Sequence, residues 1–159
     1  MKKWIFFALL AIMVILWQSI VLFNQMTNPI ERAQDKVIEA AKKEYHLKKI
    51  EDVTFFNGDE SYQVIWALND HDEHVIVWVP ENDPQNMMMK KADDGWDKSQ
   101  VRSFAKNELD MKKLKHIRLG IKHDIPVWEI TFIDENNRFS FFYLRFDGET
   151  WVENYRLKM

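Results

Sequence analysis

The sequence repeats itself, and the repeat limits what it can fold into. Shifting the chain by 64 pairs Val37 with Val101, Ala41 with Ala105, Lys42 with Lys106, Glu44 with Glu108, Lys48 with Lys112 and Lys49 with Lys113. Those are six identities in thirteen positions, with Leu47/Met111 and Ile50/Leu114 as close substitutions. Further along, a shift of 66 matches Tyr62 to Trp128, Trp66 to Phe132 and Val77 to Tyr143, which places a two-residue slip in the turn between. Two copies do not make a solenoid, which stacks at least three. Each copy is expected to be a helix followed by three or four antiparallel strands, an α+β layer pair.

The local signals agree. Asn28-Pro29-Ile30-Glu31 reads as a helix start, with Asn28 as cap, Pro29 in the first helical position and Glu31 three residues on. That helix is expected to end near Tyr45 or His46. Strands are expected at Asp52 to Phe56, Tyr62 to Leu68, Val75 to Val79 and Asn86 to Lys91. Asp97 then caps a second helix, with Gln100 in the third helical position, followed by strands at His116 to Gly120, Val127 to Ile133, Phe139 to Phe146 and Thr150 to Tyr155.

Ahead of the repeats lies Trp4 to Phe23, twenty residues without a charge, thirteen of them Leu, Ile, Val or Phe. A helix of about 20 residues matches the apolar thickness of a bilayer. A cleaved signal peptide is the competing reading, but the run exceeds the usual h-region and no A-x-A-like site follows. A helix buried in a soluble core would need a large core around it. The expectation is an uncleaved single-pass anchor. Lys2 and Lys3 precede it and no basic residue follows between Asn24 and Asn28, so the N-terminus is expected in the cytoplasm and the rest outside.

Without Lys2 and Lys3, twenty basic residues face twenty-five acidic ones. That balance argues against a nucleic-acid partner, which needs a basic face. The chain has no cysteine, which excludes disulfides, thiol catalysis and cysteine–zinc sites. Ser61, Ser99, Ser103 and Ser140 lie in no Gly-x-Ser-x-Gly elbow, so no catalytic residue is assigned. Asn69 to His74 is the one metal-like cluster. It lacks the glycine and distal Glu of a calcium loop, and a polar hairpin turn explains it without a metal. The lysines at 42, 43, 48 and 49, with Lys112, Lys113 and Lys115 in the second copy, suit helix C-termini; the other reading is a patch for anionic polymer or lipid headgroups. No cofactor and no small-molecule substrate are expected.

One apolar face is in excess. If Phe142, Leu144 and Phe146 face the helix, then Phe139, Phe141 and Tyr143 point the other way, and Val75 and Val77 are expected to do the same in the first copy. A face of this kind needs a cover. Either the two copies pack against each other there, or a partner binds.

Three stretches carry a family resemblance: AAKKEY (Ala40 to Tyr45) with its echo FAKNEL (Phe104 to Leu109), KKLKHIRLG (Lys112 to Gly120), and the run from Pro126 to Trp151. With the overall layout they resemble the YpmB/TseB-like family of bacterial membrane-anchored proteins, the second copy more in wording than the first. The resemblance implies a cytoplasmic stub at 1–3, an anchor at 4–23 and two PepSY-like, cystatin-like domains at 28–91 and 96–157. It also implies a non-enzymatic role in cell-wall elongation through a class B penicillin-binding protein. The alternatives are a PepSY-type modulator of an extracellular peptidase and, resting on His71 and His74 alone, a metal-dependent enzyme.

Overall fold

A computed structural model describes the backbone of residues 2–149 and 154–157, and the side-chain surroundings of residues 10, 12–19, 21, 22 and 34–149. The chain divides into two compact units, Met1–Val37 and Ile38–Met159. A single helix, α1 (Lys2–Tyr45), contains Asn28 and Pro29, which therefore do not open a helix. The cap signal is local, whereas helix growth is cooperative. Extending an established helix through Pro29 loses a hydrogen bond and crowds the carbonyl four residues back, about 3 kcal/mol, against roughly 4 kcal/mol for nucleating a new helix.

In the first unit the described side chains from Leu10 to Leu22 are exposed, Met13 and Trp17 the most so. Among the described residues no helix is long and apolar enough to cross a membrane. The expected span 4–23 lies within α1, but the side chains of 4–9, 11, 20 and 23 lie outside the described residues.

The second unit is α+β, with two four-stranded antiparallel sheets. Sheet 1 has the order β1 (Leu47–Asn57), β2 (Ser61–Asn69), β3 (His74–Pro80), β4 (Met88–Lys91). A 3-10 turn at Ala92–Asp94 leads to α2 (Lys98–Glu108). Sheet 2 follows with β5 (Met111–Lys122), β6 (Ile125–Asp134), β7 (Phe139–Arg145) and β8 (Asn154–Leu157). Thr150 to Glu153, where the last strand is expected to begin, lie outside the described residues. The second helix starts as its sequence predicts. The Asp97 carboxylate accepts from the Ser99 and Gln100 N–H groups, and the Gln100 side chain accepts from the Asp97 N–H.

The duplication extends to irregularities. The β1–β2 register shifts between Leu47 and Lys49 and again between Ile50 and Asp52. The β5–β6 register shifts between Met111 and Lys113 and between Leu114 and His116, each 64 residues later. The turns match too. Asn69 Oδ1 accepts from the His71 and Glu73 N–H groups, and Asp134 Oδ1 accepts from those of Asn136 and Arg138. Asp72 and Asn137 both take positive φ. The His71/His74 segment is thus the same turn as one built without histidine. His71 lies beside Asp70 and His74 beside Glu51.

The strands beyond the first correct the sequence alignment. Ile50 pairs with Ala67 and Leu114 with Phe132; Ile65 pairs with Val77 and Ile130 with Phe142. The spacing is therefore 65, not 66. One residue of slip sends every side chain to the opposite face. Val77 corresponds to Phe142, and Tyr143 corresponds to Trp78. Phe142 lies on the helix face of its sheet, its ring 5.7 Å from Phe104 of α2. Ile65, Val75 and Val77 occupy the equivalent face of sheet 1 and are buried, as are Ala41 and its counterpart Ala105. Tyr45 donates its hydroxyl to the Met87 carbonyl at 2.9 Å.

The other face of sheet 1 carries Phe56, Tyr62, Val64, Trp66, Ile76 and Trp78, and these share one core with α2 and sheet 2. Trp66 meets Trp128 at 6.2 Å and Trp78 meets Phe146 edge-on at 5.7 Å. The Phe56 ring lies over Gly120, where any Cβ would overlap the ring. The lysine segment 48–49 lies on β1 and 112–115 on β5, so these residues do not cap helices. Lys48 instead pairs with Asp72 at 2.6 Å, and Lys112 donates to Asn137 at 2.8 Å.

Gly120→Ala is expected to cost about 1–3 kcal/mol of stability by overpacking, with partial recovery on Phe56→Leu. Thermal melts of the two variants check it, and an unchanged melting temperature for Gly120→Ala would contradict the packing.

Candidate protein-interaction site

The five residues expected on one open apolar face do not share one. Val75 and Val77 are 1% and 0% exposed, under the helix side of sheet 1. They have no surface to offer. Phe139, Phe141 and Tyr143 lie on the opposite face of sheet 2 from Phe142 and Leu144. Phe139 and Phe141 are half-buried, their rings 5.5 Å apart, and Tyr143 is buried.

Tyr143 is held by two groups of its own copy, one of which reaches the first copy. Its hydroxyl donates to Glu129 Oε2 at 3.0 Å, and the Lys122 ammonium sits 4.8 Å from its ring centroid. Lys122 reaches Asp59 of the first copy at 3.5 Å, and Asp59 also accepts from the His123 N–H at 3.2 Å. His123 and Asp124 both take positive φ in the two-residue turn that closes the β5–β6 hairpin. Burial pushes the Asp59 carboxyl up, but the His123 N–H and the Lys122 charge outweigh it and hold its pKa below the ordinary carboxylate range.

A groove of about 490 Å³ lies between the copies. Five elements line it: Asp52 and Thr54 on β1, Trp66 on β2, Lys98 and Arg102 on α2, the middle of β5, and Trp128 on β6. The apolar floor is Trp66 and Trp128 with Leu114 beside them. The rim carries Lys98, Arg102, Lys115 and Arg118 against the single carboxylate of Asp52. All four cations are exposed, and none has an ion-pair partner among the described residues. Lys115 is the residue left without a partner at the second β5 irregularity, between Leu114 and His116; such bulges re-aim side chains.

Sequence reasoning missed this groove. Lys98 and Arg102 stand four apart on α2 and share a helix face, which was legible. Their meeting with Trp66 depends on how the copies pack. Of the serines weighed for catalysis, Ser61 donates to Asn57 at 3.1 Å and Ser140 is fully buried.

A tandem α+β module with an inter-copy groove is the class this geometry defines. Residues 37–80 match the family described as "Cell wall elongation regulator TseB-like domain". It is similar to the "Probable cell wall elongation regulator TseB" of Bacillus subtilis (strain 168), at 26% identity over 124 residues, 78% of this chain and 77% of that protein. Among solved structures it resembles "YpmB protein from Bacillus subtilis", with a TM-score of 0.71 and 25% identity over 77% of this chain and 96% of that one. The family is the one the sequence resembles. Its match falls on the first copy, although the wording of the second points to it more strongly.

Because the Asp59 pKa is lower folded than unfolded, its contribution is complete above about pH 4 and is lost as pH falls through the folded value. Asp59→Asn is expected to be less stable than the parent at neutral pH, and the gap is expected to close on acidification. Denaturant unfolding between about pH 7 and pH 2 checks this; a gap that stays constant would contradict it.

Proposed function

We propose that this protein is a non-enzymatic, membrane-anchored regulator of cell-wall elongation. Residues 4–23 hold it in the membrane with the N-terminus in the cytoplasm, and the two PepSY-like, cystatin-like copies work outside. It acts by contact with a class B penicillin-binding protein. The observation that carries this reading is the similarity to the Bacillus subtilis regulator, which spans 124 residues and so reaches beyond one copy. The anchor is supported by sequence and by the exposed apolar side chains of Leu10 to Leu22. Exposed large apolar side chains in this number call for lipid or a partner around them.

In-cell photocrosslinking from the full-length chain, with a photoreactive residue in place of Thr54, tests it. The expected adduct is a class B penicillin-binding protein, accompanied by altered cell length or width when the protein is removed. Adducts with an extracellular peptidase instead, or normal wall growth in its absence, would overturn it.

A further inference from the structure

We infer that the groove between the copies is the docking site for an extended acidic segment of a protein partner, one that alternates carboxylates with apolar or aromatic side chains. This inference rests on the proposed regulatory role and names the surface and partner chemistry that serve it.

Charge is the first argument. The outer part of the chain is acidic on balance, yet the groove gathers Lys98, Arg102, Lys115 and Arg118 around one carboxylate. Lys98 and Arg102 are like charges at i and i+4, a spacing that costs a helix a few tenths of a kcal/mol. A local cost kept without a visible structural return marks a functional position. Arginine in particular suits carboxylates, which it grips through two parallel hydrogen bonds.

The floor is the second. Trp66, half-buried above the buried Trp128, gives the groove an apolar base, and Phe55 at its edge is 50% exposed. Aromatic anchors in a desolvated centre with charges on the rim are the pattern of a protein-binding hot spot.

The backbone offers a third kind of contact. β1 and β5 are the edge strands of their sheets, and no ladder joins them. Each leaves main-chain donors and acceptors unpaired on one side, which an extended peptide can use. A phosphate polymer fits less well. The first amides of α2, the natural place for a phosphate, are already taken by the Asp97 carboxylate at 2.7 and 2.8 Å. An all-polar chain would also leave the tryptophan floor wet.

The test titrates the full-length chain, in lipid nanodiscs, into a fluorescein-labelled peptide of alternating Glu and Phe and reads anisotropy. Binding is expected, weakening as salt rises and about tenfold weaker or more in the Arg102→Glu/Arg118→Glu double variant. Both positions are exposed, so circular dichroism and the melting temperature are expected to stay close to the parent's. No binding, equal binding by the double variant, equal competition by a Lys–Phe peptide, or stronger competition by a glycerol-phosphate oligomer would each overturn the inference. The Thr54 crosslink run in the same double variant separates the two readings. An undiminished penicillin-binding-protein adduct sinks the groove and leaves the regulatory role standing. No such adduct in the parent, together with normal wall growth when the protein is removed, sinks that role, and the titration then decides the groove alone.

Discussion

Sheet 1 buries apolar side chains on both faces, and a sheet of that kind is stable only with a cover on each side. One face, with Ile65, Val75 and Val77, is the helix face that the duplicated unit repeats in its second copy. The other, with Phe56, Trp66 and Trp78, is closed by the second copy itself. Phe56 can approach only because Gly120 has no side chain. Removing the second copy would expose several large aromatics at once, at roughly 1.5–3 kcal/mol for each large side chain. Neither half is built to stand alone.

The candidate site follows from that dependence. Where the face of sheet 1 meets α2 and β5 the contact is incomplete, and a groove remains with tryptophans at its base and cations at its rim. A single copy has no such groove. The duplication therefore supplies a core and, at the margin of that core, a place for a partner. The link through Asp59, Lys122 and Tyr143 fastens another part of the same junction with polar contacts. Fusing two related units in this way gives a surface whose walls come from different stretches of chain.

Much of the architecture is legible in the residues themselves. The capping box at Asp97 and Gln100, the succession of strands along the chain and the alternation in β2 and β7 follow from local chemistry that tertiary packing does not override. Helix continuity through Pro29 is not legible, because a cap signal does not reveal whether a helix already exists upstream. The face assignment fails at one residue. A spacing of 66 sets Val77 opposite Tyr143 in the alignment, whereas the ladders set it opposite Phe142, and that slip moves Val75 and Val77 from the buried helix side to an imagined open one. Hydrophobicity cannot flag the error, since both faces of sheet 1 are apolar. The groove is invisible for a different reason: Trp66, Arg102 and Arg118 are far apart in sequence and meet only when the copies dock.

Hydrogen exchange on the full-length chain under rising mild denaturant tests the shared core most directly. Amides in β2 and β3 and those in β6 and β7 are expected to lose protection together, in one cooperative opening of both sheets. If either sheet kept its protection after the other had opened, the two copies would be separate domains and the account of a single core would be wrong.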